Sequence, residues 1–157
     1  MKRITITLIL LAIAFSFSYG QSNYERGIGV SVGYFSGISY KHFTDSSTAF
    51  EGILSTRWSG VQLTALYAKH HIAFDEPSFN LFYGGGAHVG FWDTSKIPRI
   101  EDNKNRIIAG INGLLGLQHK FSDAPLVVSL DWKPSLNLIG DISFWGDEAA
   151  ITVRYVF

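Results

Sequence analysis

The chain has no cysteine, one methionine and four prolines in 157 residues. Without cysteine there can be no disulfide, no thiolate metal site and no lipidated cysteine at a cleavage site. Beyond the first twenty residues no stretch approaches the ~18 consecutive apolar residues of a membrane helix. Charge of one sign is also lacking, with 13 Lys and Arg against 13 Asp and Glu. A near-neutral chain has no basic footprint for nucleic acid. Glycine, by contrast, is plentiful at 16 residues, and aromatics make up 15%. That composition favours strands and tight turns over helices.

The first twenty residues read as a targeting segment. Met1-Lys2-Arg3 is a short positive start, Ile4 to Phe15 is an apolar run, and Ser18-x-Gly20 supplies small residues before Gln21. This is the layout of a secretory signal peptide, with cleavage expected after Gly20. The expected division is therefore residues 1–20 as signal peptide and 21–157 as one domain. Losing Lys2 and Arg3 leaves 11 positive against 13 negative groups on the exported part. An exported domain with no disulfide must be held by its own packing and hydrogen bonds, or by a membrane.

The carboxy-terminus carries the plainest pattern. Counting back in twos gives Phe157, Tyr155, Val153, Ile151 and Ala149, while the interleaved set holds Val156, Arg154, Thr152 and Ala150. A period of two makes these the two faces of a strand. The alternation recurs, predicting strands at about Gly27 to Tyr34, Gly37 to Phe43, Thr48 to Trp58, Val61 to His71, Asn80 to Trp92, Ile107 to Phe121 and Leu126 to Pro134. With the last strand that makes eight. The apolar faces, such as Ile28, Val30 and Val32 or Leu126, Val128 and Leu130, are expected to point outward. Lipid-exposed backbone must pair completely, so such a sheet has to close on itself. The predicted fold is all-β: an eight-stranded antiparallel up-and-down transmembrane barrel. Eight strands enclose an interior that side chains can just fill.

Short links are expected around Thr44–Ser47, Asp75–Pro77 and Ser122–Pro125. Long outer loops are expected at Asp93–Arg106 and Ser135–Glu148, a contrast typical of outer-membrane barrels. Aromatics near predicted strand ends suggest girdles at two membrane interfaces, chiefly Tyr34, Trp58, Trp92, Trp132 and Trp145, with Phe43, Phe74, Phe79, Phe121 and Phe157 at the other end.

The inward faces carry Lys41, Glu51, Arg57, His70, His88, Lys120, Asp131, Lys133 and Arg154. Buried charges need partners, so an internal polar network is expected. No metal site is expected, because the adjacent His70 and His71 point to opposite faces. Gly84-Gly85-Gly86 lacks the spacing of a dinucleotide fingerprint. No Ser–His arrangement with triad geometry stands out, so no catalytic residue and no cofactor are assigned. A soluble barrel would require the opposite facing of every strand.

Gly84 to Trp92, Ser129 to Pro134 and Arg154 to Phe157 resemble segments of the small outer-membrane barrels of the OmpA/OmpX type, in particular those of Bacteroidetes-like outer membranes. The resemblance covers residues 25–157. It implies export to the cell outer membrane, contact with its lipids and lipopolysaccharide, and passage by periplasmic chaperones to the β-barrel assembly machinery. Tyr155 and Phe157 would form the terminal assembly signal. Two-domain members carry a peptidoglycan-binding domain after the barrel, and with this sequence ending at Phe157 a cell-wall tether is not expected. The expected role is structural or surface-interacting, with a filled lumen rather than an open pore. The alternatives are a porin-like solute conduit and a lipid-A-modifying enzyme.

Overall fold

The structure, a computed structural model, describes residues 18–19, 24–57, 60–93, 105–140 and 142–157. The expected signal peptide falls outside them, apart from a two-residue bridge. In that bridge Ser18 and Tyr19 pair with Ile72 and His71. Trp58 and most of the expected loop from Asp93 to Arg106 also lie outside the described residues.

The strands are β1 (Arg26–Gly33), β2 (Ser36–Phe43), β3 (Thr48–Arg57), β4 (Gly60–Ala73), β5 (Glu76–Asp93), β6 (Asn105–Lys120), β7 (Leu126–Trp132), β8 (Ser135–Ile139), β9 (Ser143–Trp145) and β10 (Ala149–Val156). Each of β1 to β6 pairs antiparallel with the next, β7 pairs with β10, and β10 returns to β1. The sheet is thus a closed eight-stranded barrel, with β8 and β9 as extensions of its last two walls.

The register sets the shape. From Ser31, the residues directly opposite one another run through Gly37, Ser55, Gln62 and Gly90 to Ile108. In the other direction they run through Thr152 and Ser129 to Gln118 on that same strand. The ten-residue offset between Ile108 and Gln118 is the barrel's shear. With eight strands at ordinary spacing it tilts the strands by roughly 40°.

Facing follows the alternation in sequence. Along β1 and β10, Ile28, Val30, Val32, Ile151, Val153 and Tyr155 are exposed, whereas Ser31, Thr152 and Arg154 are buried. Leu130 is 60% exposed beside Asp131 at 3%. On the other strands too the outward positions are mostly apolar, while the interior takes the buried charged and polar side chains together with an apolar patch of Ile53, Leu66, Ala68, Phe82 and Leu114.

Two expectations need correction. Ser135–Glu148 is not a plain loop, because β8 continues the wall beyond Pro134 and β9 folds back onto it. Proline has no N–H for the ladder. Its carbonyl still accepts from the Gly113 amide at 2.8 Å, and pairing resumes at Ser135 opposite Asn112. The turn expected over Asp75–Pro77 sits slightly earlier. Phe74 and Asp75 have φ of 60° and 54°, the left-handed pair that a two-residue type I′ hairpin requires. Pro77 then falls inside β5, near its start, where a missing N–H is tolerated.

Candidate functional site: the barrel interior

Four features share the barrel interior: a charged centre, an apolar patch of Ile53, Leu66, Ala68, Phe82 and Leu114, a neutral polar layer above the charges, and an aromatic cluster at each end. The short turns mark one end, called here the turn end, and the longer connections the other, the loop end.

The charged centre is built from β2, β3, β7 and β10. Register places Lys41 opposite Glu51, and the Lys41 Nζ lies 3.2 Å from a Glu51 carboxylate oxygen. Arg154 reaches the other oxygen of the same carboxylate and donates to Ser129 Oγ at 2.7 Å. Arg154 and Lys41 are both 0% exposed. Two cations thus share one carboxylate, and Lys41 also stands over the Phe82 ring at 4.5 Å. A second pair adjoins the first. Lys133 bonds Asp131 at 2.8 Å, and Asp131 also accepts from Ser129 at 2.7 Å and Thr152 at 3.2 Å. Burying an ion costs several kcal/mol, which only dense hydrogen bonding of this kind offsets.

Above this centre lies a largely neutral layer. His88 sits between Asn112 and Asn137, with ring nitrogens 2.7 and 2.8 Å from their amide groups. A neutral imidazole has one donor and one acceptor, so two amides, each able to present oxygen or NH2, can match both. Asn137 continues to Ser143 on β9 at 2.9 Å. Ser135 donates to Glu148 at 2.5 Å. Glu148 is buried and adds an inward acid that strand alternation did not predict, because it lies between β9 and β10.

Aromatic side chains close both ends. At the turn end Tyr24 packs edge-on against Phe43 with centroids 5.0 Å apart, beside Ala49, Val127 and Val156. His70 lies between Phe43 and Phe82, with ring centroids at 4.8 and 5.0 Å. At the loop end Phe35, Trp92 and Ile108 cluster, with Trp145 packed on them. Trp145 stacks on Phe35 at 6.0 Å and meets Trp92 edge-on at 5.9 Å.

Lys41, Glu51, Asp131, Lys133 and Arg154 come together. His88 is inward but bonds amides rather than ions. His70 is inward among rings. Arg57 and Lys120 lie towards the two mouths, Arg57 over the Tyr34 ring at 3.2 Å and Lys120 5.9 Å from the Tyr24 ring. Tyr34 and Trp132 face outward and exposed, as do Tyr155 and Phe157, whose rings lie 6.2 Å apart. The Trp132 indole donates to the Gly146 carbonyl at 2.7 Å.

Trp92 and Trp145 do not belong to an outward girdle. Trp92 is 3% exposed and points inward, because it follows the outward Phe91 by one residue and parity puts it on the other face. Trp145 is half-buried over it. Phe43 is likewise inward and buried.

Sequence reasoning missed the inward rings Tyr24, Phe35 and Phe82. A usable signal was present in the glycines. A β-carbon at Gly116 would meet the Phe82 ring, one at Gly60 or Gly90 would meet Trp92, and one at Gly29 would meet the Arg154 stem. Phe82, Trp92 and Arg154 thus each lie over a residue that has no side chain.

Among the described residues no three His, Cys, Asp or Glu side chains are grouped to hold a metal ion. No protein-family model, curated protein or solved structure matches the chain. The functional reading therefore stands on the barrel's own residues.

Proposed function

We propose that this chain is an outer-membrane β-barrel protein of the small eight-stranded type, with a structural or surface-interaction role and a lumen that is packed rather than open. The inverted polarity carries the reading. A wall of exposed Ile, Val, Leu, Phe and Tyr around buried Lys, Arg, Glu and Asp is unfavourable in water, where the exposed apolar surface favours aggregation. In a bilayer the same wall meets hydrocarbon, and the closed sheet leaves no unpaired edge. The ion pairs between Lys41, Glu51 and Arg154, with a ring cluster at each end, support the packed lumen. The loop-end extension formed by β8 and β9 would supply the contact surface.

Fractionation tests the membrane reading. The protein is expected in the outer-membrane fraction, extractable only with detergent, with gel migration that shifts on heating. Recovery from the periplasm without detergent would overturn it. Planar bilayer recording tests the lumen, where a flat current trace is expected and sustained unitary conductance would refute the packed interior.

A further inference from the structure

The outward face just above the short turns differs from the rest of the wall. Among the described residues of the turn-end half, the ionisable side chains on outward strand positions, apart from tyrosines and Glu76 at the first position of β5, are Arg26, His42, Lys69, His71 and His119. Register places Arg26 opposite His42, Lys69 opposite Thr48 and His119 opposite Phe79. With the shear described above, all five fall within about 5 Å of one level along the barrel axis. Arg26 and Lys69 are exposed, and the three imidazoles are half-buried. Aromatic neighbours hold two of those rings against the wall: His71 stacks on Tyr83 at 5.5 Å, and His119 lies 4.4 Å from Phe79. The acids of this end, Asp45, Asp75, Glu76 and Asp123, occupy the turns and the first position of β5, and Glu25 precedes β1. The order along the wall is thus apolar, then basic and imidazole, then acidic.

We infer that this belt is a contact site for the phosphate groups of anionic phospholipid in the leaflet at the turn end. The inference rests on the membrane reading above. Immediately beyond the apolar wall a bilayer presents its headgroup phosphates, and cations at that depth gain from anionic lipid. Amphipathic rings favour the same layer. The acids lie beyond it, where the turns reach water. Two permanent cations on opposite sides of β2 and β3 mean that lipids on separate arcs of the barrel are engaged.

The test uses the full chain refolded into phosphatidylcholine vesicles carrying trace spin-labelled phosphatidylglycerol or phosphatidylcholine. Electron spin resonance then reads the motionally restricted fraction of each label. Phosphatidylglycerol is expected to be enriched at the barrel roughly fivefold, the factor that one near-surface cation confers. The enrichment should collapse towards unity in 0.5 M salt, on the order of a 4 Å screening length, and in the double variant Arg26→Gln, Lys69→Gln. Both substitutions are outward and leave the lumen intact. Equal restriction of the two labels in the inserted wild-type barrel would overturn the inference, as would full enrichment in the double variant. A chain that never inserts into vesicles would instead defeat the membrane reading, so the two failures are distinguishable.

Discussion

The turn-end half of the lumen is organised by full charges and the loop-end half mostly by neutral groups. Glu51 holds two cations and Asp131 holds Lys133, with the Ser129 and Thr152 hydroxyls donating to Asp131. His88, its two asparagines and the Ser135–Glu148 contact make the upper layer, under Phe35, Trp92 and Trp145. In the lower layer one deletion strands an ion. In the upper layer it leaves an amide or a gap. The two halves should therefore fail by different mechanisms and by different amounts.

The largest effect is expected for Glu51→Ala. It leaves Arg154 and Lys41 buried without their shared carboxylate, a loss of about 3–5 kcal/mol. Urea unfolding in lipid vesicles followed by tryptophan fluorescence measures it. Trp92→Ala attacks the loop end by cavity formation and should cost about 3 kcal/mol while leaving bilayer conductance flat, since on the proposed reading the charged centre below is the seal. Steady conductance from that variant would show that the loop-end cap, not the charged centre, seals the barrel.

Gly116→Val tests the match between glycine and ring. The added side chain meets Phe82 and the Leu130 carbonyl, for about 1–3 kcal/mol of strain. The double variant with Phe82→Ala should recover part of that loss. His88→Ala should cost about 1–2 kcal/mol, the penalty for leaving amides unpaired. If it matches Glu51→Ala, the distinction between the halves fails.

The smallest effect lies outside the wall, at the turn between β2 and β3. The Ser47 amide and the Thr48 amide both donate to Asp45 at 2.9 Å. The Ser47 amide, with Thr48, holds the Asp45 carboxyl below its usual range. A depressed carboxyl stabilises the fold above its unfolded pKa and loses that contribution as pH falls through the folded value. Amide exchange at Ser47 and Thr48 should therefore show a small loss of protection at acid pH that Asp45→Ala abolishes. A pH-independent profile in the native protein would refute the turn's role.

Strand count and facing were legible in the sequence because each wall is one residue thick, so period-two alternation reports directly which side meets which environment. The set Lys41, Glu51, Asp131, Lys133 and Arg154 could be placed inward on that ground alone. Trp92 could not be assigned from its position near a strand end, since proximity to an end says nothing about face. Parity with Phe91 and the glycines at 60 and 90 held that information. Glu148 and the β8–β9 hairpin were hidden by Pro134, which reads as a stop although its carbonyl keeps the ladder going.

Alternation along single strands, a local property of backbone geometry, determined the inside-out polarity and the number of walls. The ten-residue shear, the sharing of Glu51 between Lys41 and Arg154, and the gathering of rings at each mouth were decided only in three dimensions. Those features depend on how strands distant in sequence are staggered when the sheet closes, and a stagger is a relation between strands that no single strand encodes.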